Sequence, residues 1–193
     1  MKPFPPRNHF KTFFGYFLSE KDNAYNENNW SLVELTEKIN AFKEDAENAY
    51  SLGDLYLMRG GMLKAAGCYK EAFADFKSAC EETNHCKDIF DAKLECATFH
   101  TLLGENEEAD ALFKDLLDNG AKMSPNPNWI NFYAKYSTSL VSSDQKAAMD
   151  LATKAAQLYP NDPDIHLARG SVAYMCHNPT EAIAVCVAAF PEK

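Results

Sequence analysis

The chain has 193 residues, which suits one elongated domain. Its 19 Lys and Arg stand against 28 Asp and Glu, a formal charge of −9. That balance argues against nucleic acid as a partner, because phosphate binding needs a basic face, and no apolar run reaches the roughly 20 residues that span a bilayer.

Residues 1–19 carry Phe4, Phe10, Phe13, Phe14, Tyr16 and Phe17 among the cations Lys2, Arg7 and Lys11, with no acid. Lys11 and Thr12 interrupt the apolar stretch there, so a secretory signal is not expected. Each large aromatic gains about 1.5–3 kcal/mol on full burial, which marks this arm as a docking element. Pro3, Pro5, Pro6 and Gly15 oppose a long amphipathic membrane helix. The arm and the polar stretch after it form a segment over 1–29, and a helical domain is expected over 30–193. Ser31-x-x-Glu34 is a capping-box pattern. Leu32, Leu35, Ile39 and Phe42 then recur at helical spacing. The stripe runs on through Ala46, Ala49 and Gly53, so a separate capping helix and one long helix into the next unit both fit.

From there a helical unit recurs. Leu52-Gly53-x-x-Tyr56, with Ala65, Tyr69 and Ala72, defines the first copy over about 46–79, with Gly60 and Gly61 expected to supply the turn. The second copy, about 90–123, has Cys96-Ala97-x-x-His100, the turn Gly104, then Ala109, Phe113 and Leu116. About ten extra residues, Cys80 to Ile89, separate the two. Pro125 and Pro127 mark an extended connector. The third copy, about 129–162, is well marked by Ala148, Ala152, Ala155 and Pro160, although Tyr136 stands where a small residue belongs. The fourth, about 163–193, has Gly170, Ala182, Cys186 and Ala189. Its last helix is apolar on more than one face, and such a face is either covered by a partner or sticky.

The pattern resembles the tetratricopeptide repeat, W-x2-L-G-x2-Y followed by A-x3-F and P over about 34 residues. The resemblance implies an all-α, right-handed α-solenoid of about four degenerate helix pairs, whose product is surface for binding. In that family the first helix of each pair lines a concave groove. The corresponding positions are Tyr50, Asp54 and Leu57, then Leu94, Thr98 and Thr101, then Tyr133 and Ser137, then Leu167, Ser171 and Tyr174. Members that hold the acidic tails of heat-shock chaperones carry Lys, Asn and Arg at five groove positions. Here those positions hold Tyr50, Asp54, Glu95, Ile130 and Ala134, so the carboxylate clamp is missing and an Asp would repel the tail.

Cys80, His85, Cys86, Cys96 and His100 form the one cluster with metal-ligand chemistry. Core packing explains it better, because no paired C-x2-C exists. No phosphate loop, H-E-x-x-H or G-x-S-x-G occurs, so neither catalytic residue nor cofactor is expected. The six cysteines sit at helix-packing positions and read as reduced core thiols. That points to the cytoplasm or another reducing compartment, with the mitochondrial matrix left open. The expected role is a non-enzymatic protein–protein interaction module, an adaptor or accessory subunit of a larger assembly. The alternative is a small acidic tetratricopeptide chaperone for exported or assembling proteins.

Overall fold

The computed structural model describes residues 30–42, 50–82, 88–124 and 127–189. These form α1 (Leu32–Asn40), α2 (Leu52–Ala65), α3 (Tyr69–Glu81), α4 (Ile89–Leu103), α5 (Asn106–Met123), α6 (Trp129–Leu140), α7 (Gln145–Leu158), α8 (Pro163–Met175) and α9 (Pro179–Ala189), with no strand among the described residues. Helices α2/α3, α4/α5, α6/α7 and α8/α9 pack as four successive pairs, and α1 lies on α2. The aromatic arm lies outside the described residues.

Local chemistry sets where each helix begins. Ser31 caps α1 through a capping box with Glu34, and Ser51 does the same for α2 with Asp54. Each box satisfies otherwise orphaned N–H groups at a helix start. Asn128, Asp144 and Asp162 each accept a backbone N–H at the starts of α6, α7 and α8. The stripe running past Phe42 therefore does not make one long helix: α1 ends at Asn40, and the second capping box restarts the chain at Leu52. As a separate helix, α1 covers the first pair by burying Leu35 against Leu55 and Met58.

The first pair also begins later than its Leu-Gly-x-x-Tyr pattern suggests. Gly60 and Gly61 are helical, and the turn falls at Ala66 to Cys68, with Gly67 at φ 80°. A Cβ on Gly60 would sit 2.8 Å from the Phe76 ring, so this glycine is the small residue where the helices cross. Ala72, Phe76 and Ala79 then match the spacing of Ala109, Phe113 and Leu116. A unit starting near 53 instead of 46 removes most of the ten extra residues. In the third pair the order of sizes reverses. Tyr136 takes the small position, stacked 4.7 Å from Phe113, and Ala152 takes the large one.

The core is a row of linked clusters between pairs. Phe73, Phe76 and Ala79 of α3 meet Ala92, Cys96 and Phe99 of α4. Phe90, Phe113, Phe132 and Tyr136 join the second and third pairs, and Ala148 and Ala152 meet Val172 of α8. Among the described cysteines only Cys96 is buried, and Cys68 is exposed at the first turn. The sequence expectation of six core thiols is corrected there. Trp129 and Phe90 close over Gly120, where a Cβ would lie 2.7 Å from Phe90.

Candidate interaction surface

The first helices α4, α6 and α8 lie side by side, α4 against α6 and α6 against α8. Most residues mapped onto a groove turn out to pack between helices. Asp54, Leu57, Leu94, Thr98, Tyr133 and Ser137 are buried. Asp54 serves the capping box of its own helix. The hydroxyls of Thr98 and Ser137 donate to Leu94 O at 2.7 Å and Ala134 O at 3.2 Å. Tyr50 is half-buried, edge-on to Trp30 at 5.3 Å. In the later unit start, the clamp positions of the first pair become Leu57 and Gly61, which leaves that site equally without cations. Leu167 is exposed, Ser171 and Thr101 are half-buried, and Tyr174 is 70% exposed.

Thr101 and Tyr174 are brought together. They share a cavity of about 600 Å³ with Thr138, Ser139, Val141, Ser142, Met175, His177 and Pro179. These residues come from the C-terminal ends of α4, α6 and α8, the turns that follow, and Pro179 at the start of α9. None carries a carboxylate, ammonium or guanidinium.

The hydroxyl protons of the Thr and Ser residues in the wall are already committed. Thr101 donates to Ala97 O at 3.0 Å, so Ser139 is the donor in its 2.8 Å contact with Thr101. Thr138 donates to Ala134 O at 2.8 Å and Ser142 to Ser139 O at 3.3 Å. The Thr and Ser part of the wall therefore offers oxygen lone pairs and apolar surface, while the Tyr174 hydroxyl and the His177 ring add donor capacity at the rim. The negative ends of three helix dipoles add to that acceptor character. His177 adopts the left-handed conformation at φ 60°, matching Gly67 and Gly104 in the first and second turns. Each stands five residues before an equivalent alanine: Ala72, Ala109 and Ala182. An ordinary side chain in this conformation costs about 1–2 kcal/mol, and here the strained residue lines the cavity. That shared offset was the sequence signal for His177, and it becomes visible only once Gly67 is recognised as the first turn.

Two of the same helices, α4 and α6, also carry a charge network that the sequence did not reveal. Glu95 of α4 is fully buried. It accepts Lys64 of α2 at 3.0 Å on one oxygen and Lys135 of α6 at 2.7 Å on the other. Burial alone would raise its pKa, but the two ammonium groups prevail and hold the carboxyl well below its usual range. Asp91, one turn earlier, is pushed up to about 7 by burial and by the like charges of Asp88 and Glu95, against the pull of Lys135 and Lys64.

Of the cysteine and histidine cluster, Cys80 and Cys96 touch, with their sulfurs 3.4 Å apart. His100 instead lies edge-on to Phe73 and pairs with Glu105 at 2.8 Å. His85 and Cys86 lie outside the described residues. Among the described residues no group of three His, Cys, Asp or Glu is placed to hold a metal ion. No described helix is long and apolar enough to cross a membrane.

Among solved structures the chain is similar to one titled MamA MSR-1 C2, a tetratricopeptide-containing protein, with a TM-score of 0.55 over 94% of this chain and 93% of that one. The fold is tetratricopeptide-like. At 15% identity the likeness speaks to fold alone. No protein-family model matches the chain, and no curated protein matches it.

Proposed function

We propose that this protein is a non-catalytic interaction module, an adaptor or accessory subunit of a multiprotein assembly, which grips a segment of another protein at the α4–α6–α8 cavity. The observation that carries this reading is the cavity itself, a largely apolar wall without carboxylate, ammonium or guanidinium, built by three successive first helices with Tyr174 exposed on its rim. Its size falls in the range of about 300–1,000 Å³ usual for ligand sites. The wall suits an apolar or aromatic anchor with N–H donors beside it, and it offers no Lys or Arg to hold an acidic tail. Exposed aromatics such as Tyr174 often carry a large share of binding energy. The arm's six aromatics and three cations, Phe4 to Phe17 with Lys2, Arg7 and Lys11, supply a second contact to the acidic surface of the assembly.

Crosslinking mass spectrometry on the protein purified with its partners at native abundance tests the site. Tyr174→Ala and Ser139→Tyr, which strips the rim and fills the cavity respectively, are expected to lose the major partner while keeping the helical circular dichroism. Undiminished capture, with crosslinks mapping elsewhere on the chain, sinks the assignment of this cavity.

A further inference from the structure

Cys80 closes α3, the second helix of the first pair, and Cys96 lies in the middle of α4, the first helix of the second pair. Both are free thiols, with their Sγ atoms 3.4 Å apart. Two sulfurs from different helix pairs thus stand in contact across a junction otherwise built of Phe73, Phe76, Ala79 and Phe99. Their surroundings are unequal. Cys96 is buried in that cluster, whereas Cys80 is half-open to solvent. Its hydrogen bond with Cys80, in which the Cys96 S–H donates, and then burial push the Cys96 thiol far up, so Cys80, the more accessible sulfur, is the one an oxidant meets first.

We propose that Cys80 and Cys96 are a peroxide-reactive dithiol, whose oxidation to a disulfide staples the first helix pair to the second. The Cys80 thiolate attacks one oxygen of a hydroperoxide. The O–O bond breaks, Cys80 becomes a sulfenic acid, and the expelled hydroxide leaves as water with the Cys80 proton. The Cys96 sulfur then attacks the Cys80 sulfur. The S–O bond breaks, and the departing hydroxide takes the Cys96 proton to form the second water. In sum, two thiols and one hydrogen peroxide give one disulfide and two waters. Bonding requires the sulfurs to close from 3.4 Å to about 2.0 Å, a motion within side-chain adjustment near the C-terminus of α3. Burial of Cys96 keeps it from reacting with peroxide alone and reserves it for the sulfenic acid beside it. The crosslink closes a short loop between the two pairs, and restricting the unfolded chain in this way stabilises the fold.

Cys86 is the competing resolving thiol, being close in sequence to Cys80. The full chain is treated with equimolar hydrogen peroxide under native conditions, its remaining thiols are alkylated, and its peptides are mapped by mass spectrometry. The expected product is a Cys80–Cys96 linked peptide, lighter by two hydrogens and lost on treatment with dithiothreitol. It should persist in Cys86→Ser and vanish in Cys80→Ser and in Cys96→Ala, the latter chosen to keep the apolar packing. The thermal midpoint should rise on oxidation in the unmodified sequence and not in Cys80→Ser. A Cys80–Cys86 linkage would overturn the assignment. So would a Cys80 driven to sulfinic acid while Cys96 stays alkylatable.

Discussion

Gly60 has no room for a side chain. An added Cβ would lie 2.8 and 2.9 Å from two atoms of the Phe76 ring, which is itself fully buried and cannot swing away. Alanine in a helix interior gains about 1 kcal/mol over glycine, whereas overpacking a closed core loses about 1–3 kcal/mol. The rigid ring decides for the second effect, so Gly60→Ala is expected to lower stability by about 1 kcal/mol in urea unfolding. An unchanged or raised midpoint would mean that α2 and α3 cross elsewhere. Asp91 makes a second prediction at this scale. Its carboxyl keeps a proton up to about 7 in the folded chain, against an ordinary value of 3.8. Between those values the unfolded state has released a proton that the folded state still holds, so stability falls as pH rises, by at most ~1.4 kcal/mol per pH unit. Asp91→Asn should flatten that slope. Its melting midpoint should overtake that of the parent as pH climbs from 5 to 7, with the gap constant above. Parallel profiles for the two proteins would show that Asp91 is already ionised in the fold.

Between helices, the carboxylate of Glu95 is shared by α2 and α6. Removing one member of a buried ionic set leaves uncompensated charge, which typically destabilises by about 3–5 kcal/mol. Glu95→Gln should therefore approach that loss, measured by chemical unfolding. The triple replacement Lys64→Met, Glu95→Leu, Lys135→Met should regain most of it, because an apolar set of similar volume needs no pairing. If the single change is silent, water reaches the site. None of this was legible in the sequence. Glu95 was visible as a groove residue, but a lysine near the end of α2 and another in mid-α6 declare no partnership until the helices are stacked. The second, third and fourth pairs were legible because Ala109-x3-Phe113, Ala148 with Ala152, and Gly170 with Ala182 keep the repeat's spacing of small residues. The first pair misled because Leu52-Gly53-x-x-Tyr56 mimics the motif one helix-width early. The pair Gly60-Gly61 looked like a turn, and only the Phe76 ring shows why a helix needs glycine there. The groove residues were misjudged for a related reason. Degenerate units pack Leu94, Thr98 and Tyr133 inward, so the accessible surface moves to the helix ends.

At the scale of the whole molecule, each second helix presents one residue to the pair that follows. Phe73 stacks on Phe99 at 5.4 Å, Asp110 accepts the Tyr136 hydroxyl at 2.8 Å, and Met149 packs against the cluster that contains Val172. Ile183 holds the same place in α9 and is 65% exposed, as is Val187. The same position should thus respond in opposite ways at the two ends of the array. Phe73→Ala should cost about 3–5 kcal/mol, whereas Ile183→Glu should stay within about 0.5 kcal/mol, as exposed positions do. A large loss from Ile183→Glu in the isolated protein would reveal that the face is covered, and dilution of the sample would tell self-association from cover within one chain.

In an ideal array of repeats each unit senses only its immediate neighbours, so the ends fray independently of the middle. Glu95 ties two such junctions together. Lys64 belongs to the first pair and Lys135 to the third, and both depend on one carboxylate of the second. Peeling the first pair away takes one of the two cations from the buried carboxylate and leaves it to Lys135 alone. Opening at one end is therefore felt two units along. Amide exchange in α2, α4 and α6 should follow a single opening event, with α9 free to exchange on its own clock.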